Sequence, residues 1–290
     1  MNNTHQPLLG ALLILASGLL LAINDGLSKY LTQLYPVILV VWVRYLAQTL
    51  LMVAIFTPRM GRRVFVTLRP WPQLFRGMSL VGVSILFISG LGYIPLAEAT
   101  AVIFLAPLMV TVASALVGEH INRSQWIAVV FSLLGVILIV RPGSSLFTPA
   151  ILLPFGAALS LSVYQLLTRR LAGTDHPVTS NFLASLVGTT VLSILVLFNW
   201  RTPSTTDVGL MIGLGCVTTL GHLLLTNAYR FASAATLAPF TYGQIVFAGI
   251  VGFIAFDQAP DAGAMLGIGM IIASGLGIAY IQGRRPLTPN

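Results

Sequence analysis

The chain has 290 residues, 57% of them hydrophobic and only 8% charged. A soluble domain carries about 25% charged residues, so a single water-facing core is excluded and a lipid bilayer is the expected solvent. The net charge of +8 does not point to nucleic acid, because the cations sit between apolar runs and form no basic face with interleaved aromatics.

A helix needs about 20 apolar residues to cross the hydrocarbon layer. On that basis the sequence predicts ten spans near 8–33, 36–57, 71–93, 96–118, 124–141, 150–171, 177–199, 207–230, 234–256 and 261–282. Tyr35-Pro36, Arg69-Pro70-Trp71-Pro72, Arg141-Pro142-Gly143 and Ala259-Pro260-Asp261 punctuate the boundaries. Met1 to Gln6 carry no basic residue, and the first apolar run is longer than a signal-peptide core, so no cleaved leader is expected. The single cysteine, Cys216, lies inside a span and rules out an internal disulfide.

Span 1 carries Asn24, Asp25 and Lys29, and span 2 carries Arg44. Ionisable groups within a span are costly and need a partner or a wet cavity. Asp25 and Lys29 share a helix face at i,i+4. Asp25 and Arg44 each lie roughly 12–14 Å from the same end of adjacent antiparallel helices. Two readings stand: an ion pair holding spans 1 and 2 together, or a gate on the outer half. Glu98 opens span 4, where the helix dipole favours a carboxylate and where a cavity mouth is the alternative.

Span 4 also holds Phe104 and Pro107. Span 6 presents Ser160, Tyr164 and Thr168 on one face with Gln165 beside it. Span 8 presents a polar stripe, Thr218, His222 and Thr226, which is expected to face protein or water. His222 is a candidate proton carrier or a helix-to-helix hydrogen-bonding group. Span 9 offers Thr241, Tyr242 and Gln244 beside Pro239 and Gly243. Together with Tyr93 at the end of span 3, these residues make a candidate substrate cavity: Asn24, Tyr93, Phe104, Tyr164, Gln165, Thr218, His222, Tyr242 and Gln244. Trp42, Trp71, Trp126 and Trp200 lie mostly near span ends, as interface anchors do.

Span 4 and span 9 echo each other. Tyr93, Ala99 and Thr100 recur as Tyr229, Ala235 and Thr236, an offset of 136 residues. The same offset sets Pro107 opposite Gly243. Two repeats of five spans, 1–145 and 146–290, are therefore expected. Five is odd, so the second repeat enters the membrane inverted, and matching helix breakers (Pro107, Pro239, Gly243) point to a midplane site. Kinks made only for packing are the alternative. Ten basic residues (Arg59, Arg62, Arg63, Arg69, Arg123, Arg169, Arg170, Arg230, Arg284, Arg285) fall on one side and three (Lys29, Arg141, Arg201) on the other. That places both termini in the cytoplasm. The small-xxx-small pairs Gly209/Gly213 and Gly263/Gly267 let helices approach closely, within the bundle or at a dimer face, so a monomer or weak dimer is expected.

Ala97-Glu98-Ala99-Thr100, Pro107, Gly118-Glu119-His120-Ile121 and Leu134-Gly135-Val136-Ile137-Leu138-Ile139, with Lys29, Arg44, Ala228-Tyr229 and Asp257, resemble the signature of the drug/metabolite transporter superfamily, EamA type. Asp257 departs from the usual Glu, and Leu21-Ala22-Ile23-Asn24 lacks the usual tryptophan. The resemblance implies an all-α, ten-helix carrier of a bacterial-type inner membrane, often an exporter of amino acids or related metabolites. Sister groups carry S-adenosylmethionine, nucleotide-sugars or triose phosphates.

A cavity of hydroxyls and amides with little charge suits neutral or zwitterionic solutes. The expected function is export of amino acids by alternating access. Carriage of S-adenosylmethionine or hydrophobic compounds, and proton-coupled antiport, are the alternatives. No Walker A loop, zinc spacing or Gly-x-Ser-x-Gly element occurs in the sequence, so no cofactor, metal or enzymatic activity is expected.

Overall fold

In a computed structural model the described residues are 7–116, 118, 122–140, 148–171, 174–232, 237 and 240–283. They form α1 (Pro7–Leu34), α2 (Val37–Met60), α3 (Pro70–Leu91), α4 (Leu96–Ile103), α5 (Ala106–Leu116), α6 (Arg123–Val140), α7 (Leu152–Leu171), α8 (Pro177–Val196), α9 (Thr205–Ala228), α10 (Gly243–Phe256) and α11 (Ala262–Gly283). No strand occurs among the described residues.

Among the described residues, seven helical stretches are long and apolar enough to cross a membrane: 8–34, 37–60, 70–91, 96–116, 149–171, 177–196 and 205–228. Shorter apolar helices, Gln125–Val140, Gly243–Phe256 and Ala262–Gly277, stand where the fifth, ninth and tenth spans were expected.

Local chemistry sets the helix ends. Pro70 and Pro177 occupy first-turn positions, where the missing N–H is not needed. The N–H of Val178 donates to His176 Nδ1, which caps α8. The second span was expected to stop at residue 57, but α2 runs through Pro58 to Met60 and ends on Gly61 at φ 57°. A proline in the last turn disturbs little, and glycine takes the left-handed conformation that follows. Asp257 ends α10 at φ 54°. Aspartate tolerates this region better than most side chains, which gives the departure from Glu a local reason.

The fourth span, expected near 96–118, is broken at Pro107. Proline lacks an N–H, and its ring clashes with the carbonyl four residues earlier. For Pro107 that residue is Ile103, where α4 ends. The chain passes Phe104 and Leu105 in tight turns (Leu105 N–H to Val102 O, 3.0 Å; Leu108 N–H to Leu105 O, 2.9 Å). It resumes as α5, with Pro107 in the first turn.

The chain packs as two compact units, each drawing on both halves of the sequence. One unit holds residues up to Ile23, Ile94–Ile151 and those from Leu220 onward. Within it α6 and α11 approach backbone to backbone: a Cβ on Gly267 would overlap the Gly135 carbonyl. Gly267 thus serves packing inside the unit, whereas Gly209 and Gly213 meet nothing within 4 Å. The second unit holds Asn24–Tyr93 and Leu152–Thr219. Its core includes Leu31, Leu39, Val40, Val196, Met211 and Leu214. There α2 closes on α8, with Gly188 lying under the Tyr45 ring. Thr49 and Thr189 pair at 2.9 Å, and Trp42 Nε1 donates to Ser193 Oγ at 2.8 Å.

Candidate functional site

Two sets of side chains carry the chemistry, one in each unit. In the first unit the break between α4 and α5 meets the start of α10. The Phe104 and Tyr242 rings lie 5.3 Å apart at 45°. Such tilted pairs are favourable aromatic contacts. Tyr242 directly precedes Gly243, the first residue of α10. Its hydroxyl packs so closely on Gly275 that no side chain fits at that position.

Gly243 also has a packing role, since a Cβ there would come to 2.9 Å from Leu15. Gly18 seats the backbone of Gln244, and Ser17 Oγ donates to Gly221 O at 2.8 Å. Glu98 lies in the first turn of α4 as expected, but it is only 3% exposed. The structure therefore places it inside the unit. Pro239, also expected to mark this region, lies outside the described residues.

In the second unit Thr218 Oγ1 donates to Asn24 Oδ1 at 2.7 Å, and Asn24 Nδ2 lies 3.4 Å from Asp25 Oδ1. Lys29 is buried. The Arg44 guanidinium donates to Ser84 Oγ at 2.6 Å and lies over the Tyr45 ring. Gln165 is half-buried on α7.

The polar stripe of α9 does not behave as one face. Thr218 is buried against Asn24, whereas His222 and Thr226 are exposed, and Thr226 Oγ1 donates back to His222 O at 2.8 Å. A hydroxyl that bonds its own helix is satisfied without a neighbouring helix. Tyr93, a candidate cavity residue, sits in the turn before α4 and is 72% exposed.

The residue that sequence reasoning missed is Arg76. It lies on α3 and is 3% exposed. Nε donates to Thr168 Oγ1, Nη1 to the Ser180 carbonyl and Nη2 to Tyr164 OH, each at 2.7 Å, with Nη2 also 3.2 Å from Asn181 Oδ1. The guanidinium stands 4.5 Å from the Tyr164 ring centroid. All four acceptors are neutral, so the charge is held by oriented dipoles from α7 and α8. Tyr164, expected to line a cavity, is thus committed to this network. The available signal was an arginine six residues into an apolar span, which is unusual by itself.

One turn earlier, the Gln73 Nε2 group bridges Asp175 Oδ2 and Ser180 Oγ, both at 2.8 Å. Thr67 Oγ1 and the Leu68 N–H also donate to Asp175. Desolvation pushes the Asp175 carboxyl up, but these three donors outweigh it and hold it below the ordinary aspartate value.

The EamA-like transporter family matches residues 8–141 and again 148–280. A riboflavin transporter of Vibrio cholerae is 28% identical over 97% of this chain and 95% of its own length. An S-adenosylmethionine uptake transporter of Rickettsia prowazekii is 26% identical over 90% of this chain and 89% of its own. One solved crystal structure superposes with a TM-score of 0.64 at 21% identity, over 98% of this chain and 100% of that one, a likeness of fold alone. With the family matched along nearly its whole length, the chain belongs to the EamA-like transporters, a multi-pass membrane carrier of small molecules.

Proposed function

We propose that this transporter carries a small metabolite built on a flat heteroaromatic ring with neutral polar substituents, of the riboflavin kind, across a bacterial-type inner membrane with both termini cytoplasmic. The observation that carries the reading is the Phe104–Tyr242 pair, set where α4 gives way to α5 and where α10 begins. Aromatic side chains stack flat rings without demanding charge. Interrupted helices free backbone groups that an unbroken span consumes, and such groups are tolerated at membrane depth only inside protein or a wet cavity. In inverted-repeat carriers the substrate sits at such breaks.

The full-length likeness to a riboflavin transporter supports this class over the expected amino acids. The breaks also supply hinges for alternating access, because they absorb backbone rotation that a continuous helix resists.

Proteoliposomes holding the purified chain separate the classes. Riboflavin, S-adenosylmethionine and a set of labelled amino acids are offered in parallel, in both directions, with and without a pH gradient. Riboflavin flux above protein-free vesicles is the expected result. Flux of an amino acid with none of riboflavin overturns the substrate class and restores the amino-acid reading.

A further inference from the structure

We propose that the turn between α2 and α3 and the turn before α8 together form a binding site for the headgroup of an anionic phospholipid. Both turns belong to the same compact unit. The turn of residues 61–69 joins two candidate membrane spans. It therefore lies at a membrane boundary whatever the orientation of the chain.

Three observations converge there. The first is uncommitted charge. Arg59, Arg62 and Arg69 are exposed, and none of their guanidinium groups has a hydrogen-bond or ion-pair partner among the described residues. Arg76, seven to seventeen residues away in the same sequence region, shows the contrast, since its guanidinium is almost fully engaged.

The second is a groove of ≈ 770 Å³, lined by Arg59, Met60, Val66, Leu68, His176 and Thr179, with Thr174 and Asp175 completing it. The lining joins a cation and hydroxyls to aliphatic side chains, the mixture that a phosphate on a glycerol backbone presents in reverse. Asp175 keeps its negative charge in the lining, where its oxygens accept from Thr67, Gln73 and Leu68, and the three arginines outnumber it. His176 accepts the Val178 N–H on Nδ1, so the neutral ring carries its proton on Nε2, as a donor.

The third is a set of exposed apolar residues in the same turn and the first turns of α3: Val66, Leu68, Trp71 and Phe75. Phe65 anchors the turn edge-on to Phe182 of α8 at 5.1 Å, which ties the two elements that bear the groove's lining. Aromatic side chains mark the headgroup level, and basic pockets between helices at that level take anionic headgroups.

Native mass spectrometry of the delipidated full chain tests this, with phosphatidylglycerol and phosphatidylcholine offered at equal concentration. Its readout is lipid retention, so it is independent of any transported solute. The wild-type chain is expected to retain phosphatidylglycerol preferentially. Arg59→Gln weakens that retention about fivefold, the factor equivalent to ~1 kcal/mol per arginine at a membrane surface. Arg59→Gln with Arg62→Gln and Arg69→Gln abolishes the preference. Arg123→Gln, at the exposed start of α6, leaves it unchanged. Each substituted side chain is exposed, so the fold is retained.

The proposal is overturned if the wild-type chain shows no preference between the two lipids. It is equally overturned if Arg123→Gln weakens retention as much as Arg59→Gln, which would mean diffuse attraction to positive surface. Displacement of the lipid by an equal concentration of inorganic phosphate would assign the groove to a free anion and also refute it.

Discussion

Replacing Arg76 by methionine tests whether its network holds α3, α7 and α8 together. The methionine fills similar space and removes the four hydrogen bonds to Thr168, Tyr164, Asn181 and the Ser180 carbonyl. Two magnitudes compete. Hydrogen bonds to charged groups in water-soluble proteins contribute about 1.5–3 kcal/mol each. Interhelical bonds in membranes average nearer ~0.6 kcal/mol, because the unfolded helices find other partners in the bilayer.

The membrane value applies to this span, so four bonds come to roughly 2 kcal/mol, about thirtyfold in the folding equilibrium. Relief of the buried charge works in the opposite direction. The neutral groups left behind limit that relief, since the Asn181 amide and Tyr164 hydroxyl each lose a donor. Unfolding in mixed micelles, by titration with a denaturing detergent, measures the difference. Arg76→Lys keeps the charge but not the planar fork, and should fall between wild type and Arg76→Met. A methionine variant as stable as wild type, or more stable, would show that desolvation of the guanidinium outweighs its bonds, and the reasoning would fail.

Gly267→Ala places a methyl group against the Gly135 carbonyl and should destabilise the chain by about 1–3 kcal/mol. Gly209→Ala, in open space on α9, should be neutral or stabilising by up to ~1 kcal/mol. Equal thermal stability of the two variants would refute the close α6–α11 approach. Asp175 has its carboxyl held below its unfolded value, so its contribution is fully present above about pH 4 and is lost as pH falls through the lower folded value. Asp175→Asn should therefore flatten the acid limb of a stability-against-pH profile. An unchanged acid limb would remove Asp175 from the account.

Much of the helical framework was legible because apolar run length is a strong signal in a chain with so few charges. Pro107 announced a break as well, and the i−4 rule locates it: α4 ends at Ile103, four residues earlier. The partners of each side chain were not legible, because they depend on pairings distant in sequence. Asn24 meets Thr218, and Phe104 meets Tyr242. Periodicity alone placed His222 and Thr226 with Thr218, yet the far end of a long helix meets different neighbours, and the stripe divides between buried and exposed. Arg76 was overlooked beside the more numerous arginines of the preceding turn, although its depth in α3 sets it apart. The substrate class was the least legible feature, since rings, hydroxyls and amides serve amino acids and flavins alike until flux is measured.

Riboflavin flux through proteoliposomes of Phe104→Ala and Tyr242→Ala, measured beside wild type and beside the exposed-site variant Tyr93→Ala, tests the central claim most directly. Each ring stacked on a flat substrate contributes on the order of 1 kcal/mol, so each of the first two variants should raise the half-saturating riboflavin concentration roughly fivefold, with Tyr93→Ala unchanged. Wild-type flux that Phe104→Ala and Tyr242→Ala leave intact, in chains that remain folded, would contradict a substrate site at the helix breaks.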